Sequence, residues 1–377
     1  MNIATPPKSP LLDHCPESLP AHAYFDPDWY ARENALIWAR EWVCVGRHDT
    51  QEPGTLRPLT IGGQPVMIAR GPDGGYAAFL NTCRHRGSAL CLHDGQTWNG
   101  RLITCPYHAW AYDAGGRLVS TAHGTPTDDF DKGDHGLFPV HLKLFQGSLH
   151  VCLADTPPPF APDPGPETLA NWRMEELVTG YVKEVDLACN WKIFWENYNE
   201  CLHCPTVHPQ LIDMVPIYAK GIMSPEEQAG WSPDNAAPAP LKDGACTWSE
   251  TGQPCGPEFP HLTPEERAAG HTFLTQYPSV FWAAHVDYIR MIRVIPNGPE
   301  TTRLRAEWLF LPETLAQPGF DIEAVTSFAA TVLREDGEAC EMNQKGLRAG
   351  RFRAGRLMPQ EFDIFRFHEW IRARMDA

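Results

Sequence analysis

Residues Asn81–Tyr112 read NTCRHRGSALCLHDGQTWNGRLITCPYHAWAY, and this stretch decides how the first half of the chain folds. It holds Cys83-x-His85 and, 19 residues further on, Cys105-x-x-His108. Such close spacing lets a tight turn aim both side chains of a pair at one point, so two cysteines and two histidines can converge on one metal centre. Two readings fit. The four could ligate a single tetrahedral zinc ion, or the two thiolates and two imidazoles could divide between the irons of a [2Fe–2S] cluster. Each loop contributes one Cys and one His, whereas zinc sites more often pair Cys with Cys, and this favours the cluster. Cys91 and His93 fall outside the pairs and read as loop or packing residues.

Around this stretch lie short β-like runs, Pro65–Ala69, Tyr76–Leu80 and Gly147–Leu153, separated by Gly62-Gly63, Asp73-Gly74-Gly75 and Gly115-Gly116 turns. They predict an antiparallel β domain over residues 42–156. Upstream, the proline-rich stretch 1–20 reads as a loose arm. Asp26–Trp42 has helical spacing, with Asp26 as N-cap and Pro27 in the first turn, so residues 1–41 are an arm and helix packing on the C-terminal domain. Downstream, Pro157–Pro166 holds six prolines in ten residues and predicts a semi-rigid linker. Residues 167–377 then form a second domain. In it, Glu184–Tyr198 shows helical spacing and 209–265 is a long Pro/Gly-rich region. Tyr288–Pro296 and Arg303–Leu311 form a hairpin across Asn297-Gly298-Pro299-Glu300, and Asp321–Arg348 and Pro359–Arg374 are helices. The fold class is α+β, with an antiparallel sheet flanked by helices in the second domain.

The chain has 377 residues, 43% hydrophobic and 21% charged, enough for real cores. Its net charge of −16 opposes binding to nucleic acid or anionic membranes. No apolar run is long enough to span a membrane, and the N-terminus lacks a secretory h-region. A cytoplasmic protein is expected. Its 12 cysteines therefore read as thiols, ligands or core residues rather than a disulfide framework.

A second constellation lies in Asn190–Pro209, NWKIFWENYNECLHCPTVHP. His203-x4-His208 follows Asn197 and Glu200, and Pro205 biases the chain out of helix between the histidines. Alone this is a weak metal signal. Together with the upstream loops, Cys83-Arg84-His85-Arg86-Gly87 and Cys105-Pro106-Tyr107-His108-Ala109-Trp110, it resembles the α subunits of Rieske non-haem iron oxygenases over nearly the whole chain. The resemblance implies a Rieske [2Fe–2S] cluster on Cys83, His85, Cys105 and His108. It further implies a catalytic C-terminal domain with a mononuclear Fe(II) on His203, His208 and an acid of the long C-terminal helix. Candidates for the acid are Asp321, Glu335, Asp336, Glu338 and Glu341. Asp336 matches the family's offsets to Cys340, Glu341, Gln344 and Gly346, although Gly337 stands where relatives often carry Trp. Asn197 is a further catalytic candidate, and Glu200 would bridge electrons from the cluster of a neighbouring subunit.

Glu rather than Asp at position 200, and Asp287-Tyr288, resemble the branch that oxidises carnitine and glycine betaine. The resemblance then implies O2-dependent N-demethylation or hydroxylation of a quaternary ammonium compound. A cation of that kind suits aromatic faces, and Tyr198, Trp282, Tyr288 and Trp248 are the substrate-binding candidates, with Trp195 and Phe281 nearby. Aromatic-ring hydroxylation or O-demethylation within the family, a Rieske electron carrier and a zinc-binding interaction protein are the alternatives. No Gly-x-Gly-x-x-Gly fingerprint occurs, so electrons must come from a separate NAD(P)H-dependent reductase of flavin or ferredoxin type, and the family resemblance implies a homotrimer.

Overall fold

The computed structural model describes residues 10–221 and 240–376. The chain divides into two compact units, Glu33–Phe160 and the combination of Met1–Arg32 with Ala161–Ala377. These boundaries differ from those read in the sequence. The segment after Arg32 belongs to the β unit, and so does the first half of the proline stretch.

The Glu33–Phe160 unit is built on antiparallel strands, with short helical turns at Asn34–Trp38, His48–Thr50 and Lys132–His135. Strands β1 (Val43–Arg47), β2 (Thr55–Ile61), β3 (Gln64–Arg70), β4 (Tyr76–Leu80), β5 (Gln96–Thr97), β9 (Pro139–Phe145) and β10 (Ser148–Cys152) form one sheet in the order β1-β10-β9-β4-β3-β2-β5. A smaller sheet, β6 (Ile103–Thr104), β7 (Ala111–Tyr112) and β8 (Leu118–Ser120), carries the second metal loop. The core of Leu56, Met67, Phe79, Leu90, Trp98 and Ile103 closes around Cys83 and Cys105. The proline stretch is no free spacer at this end. Phe160 packs against Phe145 and His150, and Trp42 Nε1 donates to the Pro158 carbonyl at 2.8 Å.

The other unit is built on a five-stranded antiparallel sheet, β11 (Val178–Leu187), β15 (Thr301–Phe310), β14 (Ile289–Gly298), β13 (Val280–His285) and β12 (His271–Gln276), in that order. Helices α2 (Trp191–Tyr198), α3 (Cys204–Val207), α4 (Pro209–Met214), α5 (Pro264–Ala269), α6 (Pro312–Leu315), α7 (Ile322–Leu347) and α8 (Phe362–Met375) accompany it, with α1 (Pro27–Glu33) near the N-terminus. The helical reading of Glu184–Tyr198 is corrected. Glu184 to Leu187 end β11, where exposure alternates with the period of two that a strand imposes, and helix starts only at Trp191. The long helix is as read, with Asp321 as its N-cap. The N-terminal arm is pinned rather than loose, because Leu12, Ser18 and Ala21 donate to the Pro359, Gly355 and Arg353 carbonyls. The Pro/Gly-rich region contributes α4 at one end and the capped helix α5 near the other, and its centre lies outside the described residues.

Two features fix the helices that carry the site. Asn190 caps α2 through its side chain, while its backbone N–H donates to Gln344 Oε1 of α7 at 2.8 Å. Gly337 lets α7 close on β11, since a Cβ there would lie 2.8 Å from Leu187 Cδ2.

Candidate metal centres

In the β unit the two Cys/His loops share one closure. The Gly87 N–H donates to the Cys83 carbonyl at 2.9 Å, and the Ala109 N–H to the Cys105 carbonyl at 3.0 Å. Gly87 and Ala109, each four residues after its cysteine, have φ of 76° and 56°. That left-handed turn suits glycine and costs alanine energy, the kind of local strain that collects at ligand sites. Cys83 and Cys105 are buried, whereas His85 is exposed and His108 half-exposed, with ring centroids 4.7 Å apart. Tyr112 Oη lies 3.2 Å from Cys83 Sγ and accepts from the Arg84 N–H at 3.0 Å. An open groove of about 630 Å³, lined by His85, His108, Trp110 and His123 among others, runs beside the imidazoles. Buried sulfurs and outward imidazoles match the division of ligands in a histidine-ligated [2Fe–2S] cluster. Burial raises the pKa of Cys83, so the donor set needs a bound cation to hold it as thiolate. Cys91 is buried in the core beside the loops, and His93 is exposed.

In the other unit, His203 Nε2 lies 3.4 Å from Asp336 Oδ1 and His208 Nε2 lies 2.8 Å from the same atom. The three ligand atoms fall within 4.8 Å of one another. Adjacent ligands with bonds of about 2.1 Å at right angles sit about 3 Å apart, so a single ion fits with modest adjustment. The outward ring nitrogens are also held. His203 Nδ1 is 2.5 Å from Glu200 Oε1, and His208 Nδ1 is 2.9 Å from Glu335 Oε2. Carboxylates on the far side of ligating histidines fix ring orientation and basicity. Two imidazoles and one carboxylate so close together are a donor set of the type that suits Fe(II).

The local fold explains the placement. His203 begins α3 and His208 separates α3 from α4, with Pro205 and Pro209 starting the successive short helices. Glu200 also accepts from the backbone N–H groups of Leu202 and His203. Of the other acids considered, Glu335 supports a ligand histidine, Glu338 pairs with Arg334 on the surface and Glu341 accepts from the Ala188 N–H. Asn197 Nδ2 is 3.5 Å from His203 Nε2. Cys201 and Cys204 are joined by a disulfide, which corrects for these two the reading of the cysteines as thiols, ligands or core residues. The short helical turn holds their Cα atoms 5.0 Å apart, well within bridging range.

The aromatic candidates divide. Tyr198 stacks on Phe281 with centroids 3.9 Å apart, so Phe281 faces α2. Trp282 is excluded from that side. Side chains alternate along a strand, and the pairings Trp282–Met291 and Phe281–Ile292 place the two aromatics on opposite faces. Trp195 is a core residue whose Nε1 donates to the Pro278 carbonyl. Trp248 packs against Phe328 of α7 and against Phe273. Tyr288 is engaged, because its Oη donates to the Trp248 carbonyl at 2.6 Å.

Residues 174–377 match the family model for the ring hydroxylating alpha subunit catalytic domain, and residues 41–131 match the Rieske [2Fe-2S] domain. The chain belongs to the Rieske ring-hydroxylating α-subunit family, whose two centres are the [2Fe–2S] cluster and a mononuclear iron. It is 29% identical to the glycine betaine monooxygenase oxygenase subunit of Chromohalobacter salexigens, over 96% of this chain and 87% of that protein. In fold it is similar to the quaternary ammonium Rieske monooxygenase CntA solved with L-carnitine (TM-score 0.69, 20% identity, 96% of each chain). It is also similar to naphthalene 1,2-dioxygenase from Rhodococcus (TM-score 0.70, 16% identity, 95% of this chain and 94% of that one). No helix among the described residues is long and apolar enough to cross a membrane.

The metal-free centre predicts a pH dependence. Burial opposes a charged His203, but the hydrogen bonds and charges of Asp336 and Glu200 outweigh it and raise its pKa from 6.5 to about 9. The proton on His203 therefore stabilises the metal-free fold in full below about pH 6.5, and that contribution is lost as pH rises through about 9. Iron must displace this proton. Apparent Fe(II) affinity, measured anaerobically by equilibrium loading, should rise about tenfold or more between pH 6.5 and 8.5. A flat profile would show that protons do not compete at the site.

Proposed function

We propose that this chain is the oxygenase component of a Rieske-type monooxygenase that demethylates or hydroxylates a small quaternary ammonium compound of the betaine type. The observation that carries this reading is the His203–His208–Asp336 constellation in a chain that also holds the Cys83–His85–Cys105–His108 loops. The substrate assignment is supported by the names of the glycine betaine relative and of CntA, and by Glu200 in place of the commoner aspartate. When bound, the metals supply electron delivery and reductive activation of O2.

The chain's own residues do the rest. His203, His208 and Asp336 would hold the iron, and with only three protein ligands the site would have room for O2 and substrate. Glu200 and Glu335 hold the ring nitrogens that do not ligate, which keeps each Nε2 aimed at the ion. Tyr198 and Trp248 offer aromatic faces to a permanent cation, which such faces attract without a hydrogen bond. Glu200 would also accept a hydrogen bond from His85 or His108 of a neighbouring protomer, a contact that the homotrimer implied by the family resemblance would provide. Asn197 steadies His203. Electrons arrive from a separate NAD(P)H-dependent reductase of flavin or ferredoxin type, in the cytoplasm.

Hydroxylating an N-methyl group gives a hemiaminal that releases formaldehyde and the demethylated amine. The test is a panel of glycine betaine, carnitine, choline, stachydrine and several aromatic acids, each supplied with reductase and NAD(P)H. Formaldehyde should appear with at least one ammonium compound in proportion to O2 consumed. Turnover of an aromatic acid alone would replace the substrate class and leave the oxygenase class standing.

A further inference from the structure

Three arginines among the described residues are buried: Arg47, Arg290 and Arg293. Two are paired as buried cations normally are. Arg47 Nε is 3.1 Å from Asp49 Oδ1, and Arg293 Nε is 3.3 Å from Glu307 Oε2. Arg290, at 6% exposure, makes no ion pair among the described residues. Among the described residues its Nε has no hydrogen-bond partner, and its Nη1 reaches only the Ala329 carbonyl in a long 3.5 Å contact. A buried guanidinium left this way is expensive unless a ligand completes it.

The location points to the ligand. Arg290 pairs with Ala283 across the sheet and so shares the face of Phe281, on which Tyr198 stacks. Ala329, which it touches, precedes Asp336 by two turns of α7, about 10 Å along the axis. Trp248, packed against Phe328 of the same helix, also has an unpartnered indole N–H. Burial opposes a charged Arg290 and lowers its pKa, while Tyr288, Asp336 and Tyr198 favour the charged form. Asp336 is engaged by both histidines, however, and its charge is further committed once a cation is bound. A carboxylate beside Arg290 would supply the counter-charge that it lacks among the described residues.

We propose that Arg290 binds the carboxylate of the substrate, selecting zwitterionic betaines over ammonium alcohols that share the cationic head. This rests on the betaine reading above and adds the group that reads its second charge. The free edge of the guanidinium suits bidentate binding of a carboxylate.

The test measures binding by calorimetry to the full-length protein, with Zn(II) in the mononuclear site so that no turnover occurs. Three probes are used: glycine betaine, choline, which keeps the head and lacks the carboxylate, and 3,3-dimethylbutanoate, which keeps the carboxylate and lacks the charge of the head. Arg290→Gln should weaken glycine betaine and 3,3-dimethylbutanoate by about 30-fold or more, the scale for removing one partner of a buried charge pair. It should change choline less than threefold, about the size of an ordinary surface effect. Arg290→Lys should retain part of the carboxylate affinity. Melting temperatures of both variants should equal or exceed that of wild type, because an uncompensated buried charge has been removed or made more adaptable. Equal weakening of all three probes, or no carboxylate binding by wild type, overturns the proposal. Binding of 3,3-dimethylbutanoate that depends on Arg290, without any ammonium binding, overturns the betaine reading and leaves Arg290 as an anion site.

Discussion

Asp336→Ala should give a folded, brown protein with no oxygenase activity. The substitution removes the single oxygen ligand shared by His203 and His208, which lie 3.4 and 2.8 Å from it. It leaves the cluster loops, in the other compact unit, untouched. Visible absorption and two acid-labile sulfides per chain should persist, the number a [2Fe–2S] cluster carries. The third iron should be lost, with affinity falling well beyond the roughly 10–100-fold expected for a supporting residue. Glu335→Gln supplies that smaller step, because the amide still reaches His208 Nδ1 without the charge. If both variants lose iron equally, Asp336 is no more a ligand than Glu335. If Asp336→Ala keeps full iron and full turnover, the metal lies elsewhere.

The second large effect concerns Glu200. Glu200→Gln should cut reductase-coupled turnover by about 100-fold or more while iron affinity falls no more than about tenfold, within the range of a lost supporting charge. The two readouts separate its roles. Its contact with His203 Nδ1 is a positioning role and would show in iron retention. A bridge to a neighbouring cluster would show in the reoxidation of that cluster by O2 and substrate, followed by stopped-flow absorbance after chemical reduction. Slow reoxidation with a full iron complement supports the bridge. Turnover that falls only in step with iron content reduces Glu200 to an orienting carboxylate. Glu200→Asp should restore part of the electron transfer.

Much of this was legible in the sequence because the ligands arrive in compact motifs. Cys83, His85, Cys105 and His108 sit in two tight turns, and His203 and His208 flank the short helix α3, so each pair is local in sequence. Asp336 is more than a hundred residues away, and only its resemblance to a family pattern distinguishes it from Glu335 beside it. The structure shows why both are acids, since they hold opposite nitrogens of the His208 ring. Other features depend on register and pairing, which composition does not record. Trp282 and Phe281 are neighbours in sequence and opposites in space. Arg290 and Arg293 belong to one strand, yet among the described residues only Arg293 has a counter-ion. Glu184–Leu187 mixes apolar and charged residues in a way that fits helix until β15 is seen beside it. The proline stretch looks detached until Phe160 is found packed at one end and Asp163 exchanging backbone hydrogen bonds with Thr275 at the other.

The carboxylate grip on both sides of His208 has a practical consequence for handling the protein. With protons in place of a cation the rings stay aimed inward, so a vacant centre is ready for whichever divalent ion arrives first. Copper and zinc rank above ferrous iron in intrinsic affinity for nitrogen and oxygen donors, so growth medium and affinity resin will decide the occupant. Preparations that look inert should be stripped with a chelator and refilled with Fe(II) under argon before a variant is judged dead.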